Sequence, residues 1–188
     1  MALTKERLQS LVKATGLKFY VDPDRDALML GGQGVNGRYQ FVILLELGGE
    51  FLQFRTLRYH FCPSDHAHVD AILRVLGEIN FQLRFSKFGW DASDGEIVAY
   101  GDLWISDGDV TETQMDRMLK SYLSIIDLQY ARIDATIKTG KDPGELNPFQ
   151  GPSGLPPEVQ KVLDRIKAER DDEGGAGDDD EPPGIDEL

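Results

Sequence analysis

The sequence predicts an α+β fold in which helices pack on an antiparallel sheet of about five strands. Three observations lead to this prediction: short stretches of alternating apolar residues, turn glycines between them, and three longer segments with apolar residues at helical spacing. With 188 residues, 40% of them hydrophobic, the chain is long enough for one domain with an appended segment and too short for two full-sized domains. We therefore expect one folded domain over residues 1–140.

The N-terminal elements are a helix and two short strands. The helix is predicted over residues 4–15, with the Thr4 hydroxyl as its N-cap and Gly16 as its stop. Alternating apolar residues then predict strands over 17–21 and 27–30, separated by a turn rich in Asp and Pro.

A first long hairpin is predicted from strands at 38–47 and 50–61, with Gly48-Gly49 as the turn. This turn pairs residues whose numbers add up to 97 and so decides which side chains share a face. One face then carries Phe41, Ile43, Leu45, Leu52 and Phe54, and the other carries Val42, Leu44, Phe51, Leu57 and Tyr59. Because Gln53 and Arg55 dilute the second face, we expect it to be only partly covered.

A second helix and a second hairpin follow. The helix is predicted to open at Pro63-Ser64, and its apolar stripe is Val69, Ile72, Leu73, Leu76, Ile79 and Leu83. The hairpin joins strands at 84–91 and 96–106 around Ser93-Asp94-Gly95 and pairs even positions with odd ones. Its inner face is predicted to carry Phe88, Trp90, Ile97, Ala99 and Leu103, and its outer face Phe85, Tyr100 and Trp104.

The last long helix is predicted to start at a capping box of Thr111 and Gln114 and to end near Thr139. It would be roughly 28 residues, or about 42 Å, long. That length exceeds the thickness of so small a domain. We therefore expect its C-terminal half to project toward a partner, or a second copy of the chain to lie against it.

Three segments are predicted after this domain. Residues 141–157 are rich in Pro, Gly and Asn and indicate a linker. Residues 158–170 carry an apolar stripe and indicate a short amphipathic helix, which either docks on a partner or latches onto its own domain. Residues 171–188 hold nine acids and no Lys or Arg, so we expect an acidic disordered tail.

Charge and cysteine content exclude several classes of function. The net charge of -13 would repel phosphate backbones and anionic lipids, so we expect neither nucleic acid nor membrane as a partner. Residues 1–170 carry 24 acids against 20 bases, so the folded part is only mildly acidic. A single cysteine, Cys62, allows no intramolecular disulfide, and no secretion signal is evident, which together favour a cytoplasmic location.

Two motifs suggest chemistry, and neither is interpreted as a site. Gly32-x-Gly34-x-x-Gly37 matches a dinucleotide-binding pattern, but residues 38–44 are β-branched and aromatic and predict a strand where that motif needs a helix. The sequence therefore predicts no cofactor.

The second motif combines His60-x-Cys62 with His66-x-His68, which are residue types that bind metal. We expect His66 and His68 to lie in the first helical turn about 200° apart, too far around the helix to chelate together. A structural role is therefore favoured over metal binding, and Cys62 lacks a recognisable base for nucleophilic catalysis.

Three stretches of sequence resemble the YbjN domain family: LGEINFQLRFSKFGWD at 76–91, GEIV at 95–98 and SIIDLQY at 124–130. The resemblance spans roughly residues 4–140. It implies an α-β-β-β-α-β-β-α order like that of type III secretion chaperones. It also implies a cytosolic, non-enzymatic and often dimeric module that handles protein partners, with no catalytic residue to carry over.

Our leading hypothesis is a chaperone-like or regulatory module that binds a protein partner, or a second copy of itself, through apolar sheet and helix surfaces. Two alternatives stay open: a small-ligand or metal-dependent enzyme that uses the region of His60, Cys62 and His66, and an adaptor autoinhibited by its acidic tail. The candidate partner-binding residues are Phe51, Leu57, Tyr59, Phe85, Tyr100, Trp104, Tyr130, Ile133, Ile137, Val159, Leu163 and Ile166.

Overall fold

The computed structural model describes residues 2–106 and 108–144. Its helices are α1 (Lys5–Ala14), α2 (Val69–Gln82) and α3 (Glu112–Thr139). Its strands are β1 (Phe19–Val21), β2 (Ala27–Gln33), β3 (Arg38–Glu46), β4 (Phe51–Leu57), β5 (His60–Phe61), β6 (Ser86–Trp90) and β7 (Glu96–Trp104). The strand pairings of the described residues are antiparallel, and the predicted α+β class is confirmed.

The strands form one sheet in the order β1-β2-β3-β4-β7, with β5 and β6 also paired to β7. Because β5 continues β4 along the same edge of β7, the seven strands occupy six positions in the sheet. The prediction of about five strands was therefore slightly low. The order implied by the family resemblance has three strands before α2, whereas the structure has five, β1 to β5.

The register predicted for the first hairpin is confirmed. Phe41 pairs with Thr56 and Leu45 with Leu52, so the paired numbers add up to 97. The turn is wider than predicted, because the last pair is Glu46 with Phe51. Gly49 is required in this turn: its φ is +96°, and a Cβ there would lie 2.1 Å from the carbonyl oxygen of Leu3.

A bulge separates β4 from β5, and because of it the predicted outer-face position of Tyr59 is wrong. Arg55 pairs with Tyr100, and His60 pairs with Ile97. Four residues therefore lie between Arg55 and His60, but only two lie between Ile97 and Tyr100. Arg58 lies in this bulge with a φ of +52°. The alternation of faces is broken there, so Tyr59 points into the core and is 5% exposed instead of lying on the outer face.

The caps of α1 and α3 form as predicted. Thr4 accepts a hydrogen bond from the backbone N–H of Arg7. Thr111 and Gln114 form a reciprocal capping box. These caps satisfy backbone N–H groups that the first turn of a helix leaves unpaired.

The start of α2 was predicted too early. Residues 63–68 form turns, in which His66 N–H donates to the Pro63 carbonyl and Val69 N–H to the His66 carbonyl, and the helix begins only at Val69. The buried face was also rotated from the prediction: it carries Ile72, Val75, Leu76 and Ile79. Leu73, placed on the predicted stripe, is 42% exposed.

The C-terminal half of α3 does not project from the domain. Its residues Ile126, Ile133 and Thr136 are fully buried, in part because α2 packs alongside it. The expectation of a projecting half-helix was therefore wrong, although its predicted 28-residue length is confirmed. Ile133 lies in the core and is not a surface residue.

All three helices contribute to one hydrophobic core on one side of the sheet. Tyr122 of α3 illustrates the packing: its ring lies 5.6 Å from Phe41 and 5.7 Å from Phe54, and its hydroxyl donates to the Ala99 carbonyl. The side of the sheet that carries Phe41 and Phe54 is therefore the helix-covered face. We call the opposite side the outer face.

Candidate protein-binding surface

The outer face is defined by the side chains that point away from the helices. Its larger apolar members are Tyr20, Met29, Val42, Leu44, Phe51, Leu57, Tyr100 and Trp104. These side chains are half-buried or exposed, with Trp104 66% and Tyr20 65% exposed. None of α1, α2 and α3 covers them, so the face remains accessible in the part of the chain that the structure describes.

One corner of the outer face is aromatic. Phe51 and Trp104 are cross-strand partners, and their ring centroids lie 4.9 Å apart. Trp104 lies at the end of β7, where its ring contacts Phe51 and is still 66% exposed. A large apolar surface is therefore presented to solvent at this corner.

Polar residues cross the middle of the outer face. The Gln53 amide donates to the Asp102 carboxylate over 2.9 Å, and Arg55 lies 3.8 Å from Glu96. The Arg55–Glu96 ion pair lies at the surface and contributes little to stability. Both contacts give the surface specific donors and acceptors between its apolar regions, which is the composition of many protein-binding surfaces.

A cavity of about 340 Å³ lies beside this polar band. Its floor is apolar, formed by Ala27, Met29, Val42, Leu44 and Leu57, and Asp22, Arg25, Arg55 and Glu96 also line it. A cavity of this size is large enough to accept one or two side chains of a partner.

The structure brings four of the predicted partner-binding residues together on the outer face: Phe51, Leu57, Tyr100 and Trp104. Phe85 is not on this face, contrary to expectation. Its ring packs over Gly101 and lies 5.6 Å from Phe54, so that it extends the core. The physical reason is that Phe85 precedes β6 and does not follow the alternation of that strand.

Two further predicted residues lie against the core. Tyr130 is half-buried, and its ring lies 5.4 Å from Tyr39, 5.5 Å from Tyr59 and 4.3 Å from His60. Ile137 is partly buried against the same core. Val159, Leu163 and Ile166 lie outside the described residues, as do the predicted linker beyond residue 144, the short helix and the acidic tail, so these stay predictions.

Sequence reasoning missed exposed apolar residues in two places. Tyr20 and Met29 are cross-strand partners on the outer face, and the hairpin register around the turn at 22–26 could have paired them. Phe81 is 93% exposed on α2. Its position in the sequence could have indicated this exposure: Phe81 follows the buried Ile79 by two residues, and such residues lie about 200° apart around a helix.

The enzyme hypothesis rests on His60, Cys62 and His66, and the surroundings of His60 and Cys62 are those of buried structural residues. His60 is enclosed by the rings of Tyr59 and Tyr130, and burial is the main cause that lowers its pKa to about 4. Burial raises the pKa of the Cys62 thiol, which disfavours the thiolate that nucleophilic catalysis needs. In residues 2–106 and 108–144 no three His, Cys, Asp or Glu side chains are grouped closely enough to hold a metal ion.

His66 and His68 serve local structure. They lie in the turns before α2, not in its first turn as predicted, and their rings are 5.3 Å apart. His66 Nδ1 accepts from the His68 N–H, and His68 Nδ1 lies 2.9 Å from the Ile137 carbonyl oxygen near the end of α3. With Nδ1 protonated, His68 donates to a carbonyl that the helix end leaves unpaired.

A family model matches residues 4–135, and its description is "Putative bacterial sensory transduction regulator", YbjN. The chain belongs to the YbjN family. The match covers most of the described residues, including every strand above, α1, α2 and all but the last four residues of α3. No curated protein matches the sequence.

Three solved structures are similar to this YbjN-family chain. The crystal structure of YbjN, a putative transcription regulator from E. coli, has a TM-score of 0.55 and 19% identity, and the match covers 70% of this chain and 92% of that one. A chain of the HopA1-SchA chaperone-effector complex has a TM-score of 0.45, 14% identity and coverages of 65% and 88%. A chain of the ExsC-ExsE complex has a TM-score of 0.48, 17% identity and coverages of 71% and 97%. At 19% identity, the likeness to the E. coli YbjN structure describes the fold alone.

Among the residues that the structure describes, no helix has the length and apolarity needed to cross a membrane. This finding concerns α1, α2 and α3, which are amphipathic and each bury one face in the core.

Proposed function

We propose that this YbjN-family chain is a non-enzymatic regulatory or chaperone-like module that binds another protein through the outer face of its sheet. One observation carries the proposal: every described helix packs on one side of the sheet, while the other side presents Trp104, Phe51 and Tyr20 without a helix over them. Exposed aromatic surfaces of this kind are enriched at protein interfaces.

The composition of the outer face favours a protein partner over a small molecule. Its apolar regions are spread along five strands and separated by the Gln53–Asp102 and Arg55–Glu96 pairs. A small ligand is usually enclosed by one deep cavity, whereas a protein partner contacts such distributed apolar and polar groups at once. We also propose a cytoplasmic location, supported by a buried free thiol at Cys62.

The test is affinity capture from the native host with the full chain and two variants. Trp104→Ser removes the most exposed aromatic of the outer face, while the control, Val35→Ser, removes an apolar side chain that is 79% exposed in the β2–β3 loop. We expect one stoichiometric protein to be retained by wild type and by Val35→Ser and lost by Trp104→Ser. With that protein purified, titration calorimetry should show at least about tenfold weaker binding to Trp104→Ser.

Equal binding by all three proteins would refute a role for the outer face. Circular dichroism melting curves confirm that each variant is folded. Because Trp104 is largely exposed, its removal should change the free energy of unfolding by less than about 1 kcal/mol.

A further inference from the structure

The cavity of about 340 Å³ on the outer face has an apolar floor that lies below the side chains around it. Ala27 pairs with Leu44 on the outer face and is still only 2% exposed, so the floor is recessed. Met29, 39% exposed, also lines the cavity, and its flexible thioether can adapt to an inserted side chain. The floor is therefore suited to an aliphatic side chain.

The two acidic residues that line this cavity already accept hydrogen bonds from the chain. The Asp22 carboxylate accepts the backbone N–H of Asp24 over 2.9 Å. The Glu96 carboxylate accepts the backbone N–H of Arg58, also over 2.9 Å. Both acids therefore have a structural role, and neither depends on a ligand for a donor.

The two basic residues that line the cavity have donors to spare. The guanidinium of Arg25, in the turn between β1 and β2, makes no hydrogen bond or ion pair with any residue that the structure describes. The guanidinium of Arg55 lies 3.8 Å from the Glu96 carboxylate, which is longer than a hydrogen bond. A guanidinium carries five N–H donors in a planar fork that matches a carboxylate. The group that this cavity lacks is therefore an acceptor.

We infer that the cavity binds a peptide segment of the protein partner in which an Asp or Glu stands beside an aliphatic residue. The aliphatic side chain fills the floor, and the carboxylate accepts hydrogen bonds from Arg25 or Arg55. Because Val42 of the floor is the direct cross-strand partner of Arg55, the two side chains start about 5 Å apart. Residues one or two positions apart in a peptide span this separation. This inference rests on the proposed function and specifies what the outer face recognises.

The charges around the cavity favour a single carboxylate over a more highly charged anion. Asp22 and Glu96 lie beside the two arginines, so a phosphate group or a nucleic acid meets repulsion that a single charge largely avoids. The net charge of -13 also repels acidic ligands at long range. An acidic peptide that binds this chain therefore does so through local contacts and not through a general attraction.

Selection of phage-displayed random dodecapeptides on the immobilised full chain tests the predicted motif. We expect the wild type to enrich peptides with Asp or Glu within two residues of Leu, Ile, Val or Met, and the double variant Arg25→Gln/Arg55→Gln to lose this enrichment. Arg38→Gln is the matched control, because Arg38 lies on the outer face but does not line the cavity. It should enrich the same peptides as the wild type. Absence of such peptides, or equal enrichment by the double variant, would overturn the inference.

Fluorescence polarisation with the most enriched peptide, made with a fluorescent label, measures the contribution of the carboxylate. Binding should weaken at least about tenfold for the double variant, and equally for a peptide whose Asp or Glu is replaced by Asn or Gln. The two changes together should cost little more than either alone, because they remove the two ends of one contact. Additive losses would contradict the inference.

A free acid with the same two groups, 4-methylpentanoate, distinguishes a peptide from a small molecule as the occupant. It should displace the labelled peptide only at millimolar concentrations, because so few atoms gain little binding energy. Displacement at micromolar concentrations would assign the cavity to a small acid. Self-association of the chain that the double variant abolishes would assign it to a second copy. Either result would overturn the inference.

The capture experiment, repeated with the double variant, separates this inference from the proposed function. Both arginines are exposed, so circular dichroism should show a folded protein that melts close to the wild-type temperature. Loss of the captured protein by both Trp104→Ser and the double variant supports the inference. Loss by Trp104→Ser with full retention by the double variant would leave the outer face as the binding surface and reject the cavity as its acid-binding site.

Discussion

The carboxylate of Asp127 on α3 accepts a hydrogen bond from the Tyr39 hydroxyl over 2.6 Å. The same carboxylate accepts the backbone N–H groups of Val35 and Asn36 at 3.0 and 2.8 Å, and the Asn36 amide donates to the Asp127 carbonyl. One side chain of the last helix therefore fixes the loop between β2 and β3. Burial opposes the ionisation of Asp127, but these hydrogen bonds outweigh it and hold the pKa of the carboxyl below its usual range.

Asp127→Asn should destabilise the fold, because a neutral amide replaces a charged acceptor of three hydrogen bonds. Hydrogen bonds to charged groups are worth about 1.5–3 kcal/mol, so we expect a loss of about that size in urea unfolding at pH 7. Since the folded pKa lies below the unfolded one, the stabilisation by Asp127 is present at neutral pH and is lost as the pH falls through the folded value.

The control for this variant is Tyr39→Phe, which removes a single donor and should cost less than Asp127→Asn. The hypothesis fails if Asp127→Asn unfolds at the same urea concentration as the wild type.

Gly34→Ala should disrupt the same contact from the opposite side. A Cβ at Gly34 would lie 2.2 Å from Asp127 Oδ1 and 2.8 Å from the Tyr39 ring. We expect about 1–3 kcal/mol of destabilisation, the usual cost of overpacking. Gly32→Ala is the matched control, since a Cβ at Gly32 meets nothing within 4 Å, and it should be nearly neutral.

A double-mutant cycle makes this prediction sharper. If Gly34→Ala acts by displacing Asp127, its effect in an Asp127→Asn background should be smaller than in the wild type. Additive free energies of unfolding would show that the two residues act independently.

Asn80 protects the β6 edge of the sheet. Its side-chain amide accepts from the Phe88 N–H over 2.7 Å and donates to the Phe88 carbonyl over 2.8 Å, where a neighbouring strand would otherwise pair with β6. Asn80→Ala should therefore cost about 1–3 kcal/mol and increase aggregation on heating, as light scattering during a thermal ramp would reveal. Gln82→Ala, on the same helix, serves as the control; similar aggregation by both variants would argue against edge protection.

The elements that sequence reasoning predicted correctly depend on local chemistry. The Gly48-Gly49 turn fixes the β3–β4 register, and the Thr4 and Thr111 caps fix two helix starts, because each acts within four residues along the chain. The outer-face positions of Phe51 and Trp104 followed from strand alternation alone.

The features that sequence reasoning missed depend on contacts between residues that are distant in the sequence. The bulge at Arg58 turned Tyr59 inward. The backbone N–H of Arg58 donates to the carboxylate of Glu96, 38 residues away. The rotation of α2 was missed because Leu73, Val75 and Phe81 are all apolar, and the packing of α2 against α3 and β6 decides which of them is buried. The enclosure of His60 by Tyr130 joins residues 70 positions apart.

His60 should make the fold sensitive to acid. Its side chain is 8% exposed, and its Nε2 has no hydrogen-bond partner among the residues that the structure describes. Burial, partly offset by Asp134, lowers its pKa from 6.5 to about 4. A folded pKa below the unfolded one means that the unfolded chain binds the proton more readily. Stability is therefore lost as the pH falls from about 6.5 to about 4, by about 3 kcal/mol in total.

His60→Phe should remove this part of the acid sensitivity, because a phenyl ring fits an aromatic surrounding and takes up no proton. Urea unfolding at intervals from pH 7.5 to 4 measures the effect: near pH 7.5 the variant and wild type should agree within about 1 kcal/mol, and the gap should widen in favour of the variant toward pH 4. His66→Gln is the control: it removes a histidine that is not enclosed by Tyr59 and Tyr130, so its curve should follow that of the wild type. Since Asp127 also contributes to acid sensitivity, the decisive quantity is the difference between the His60→Phe and wild-type curves; parallel curves would show that His60 is not the group that titrates.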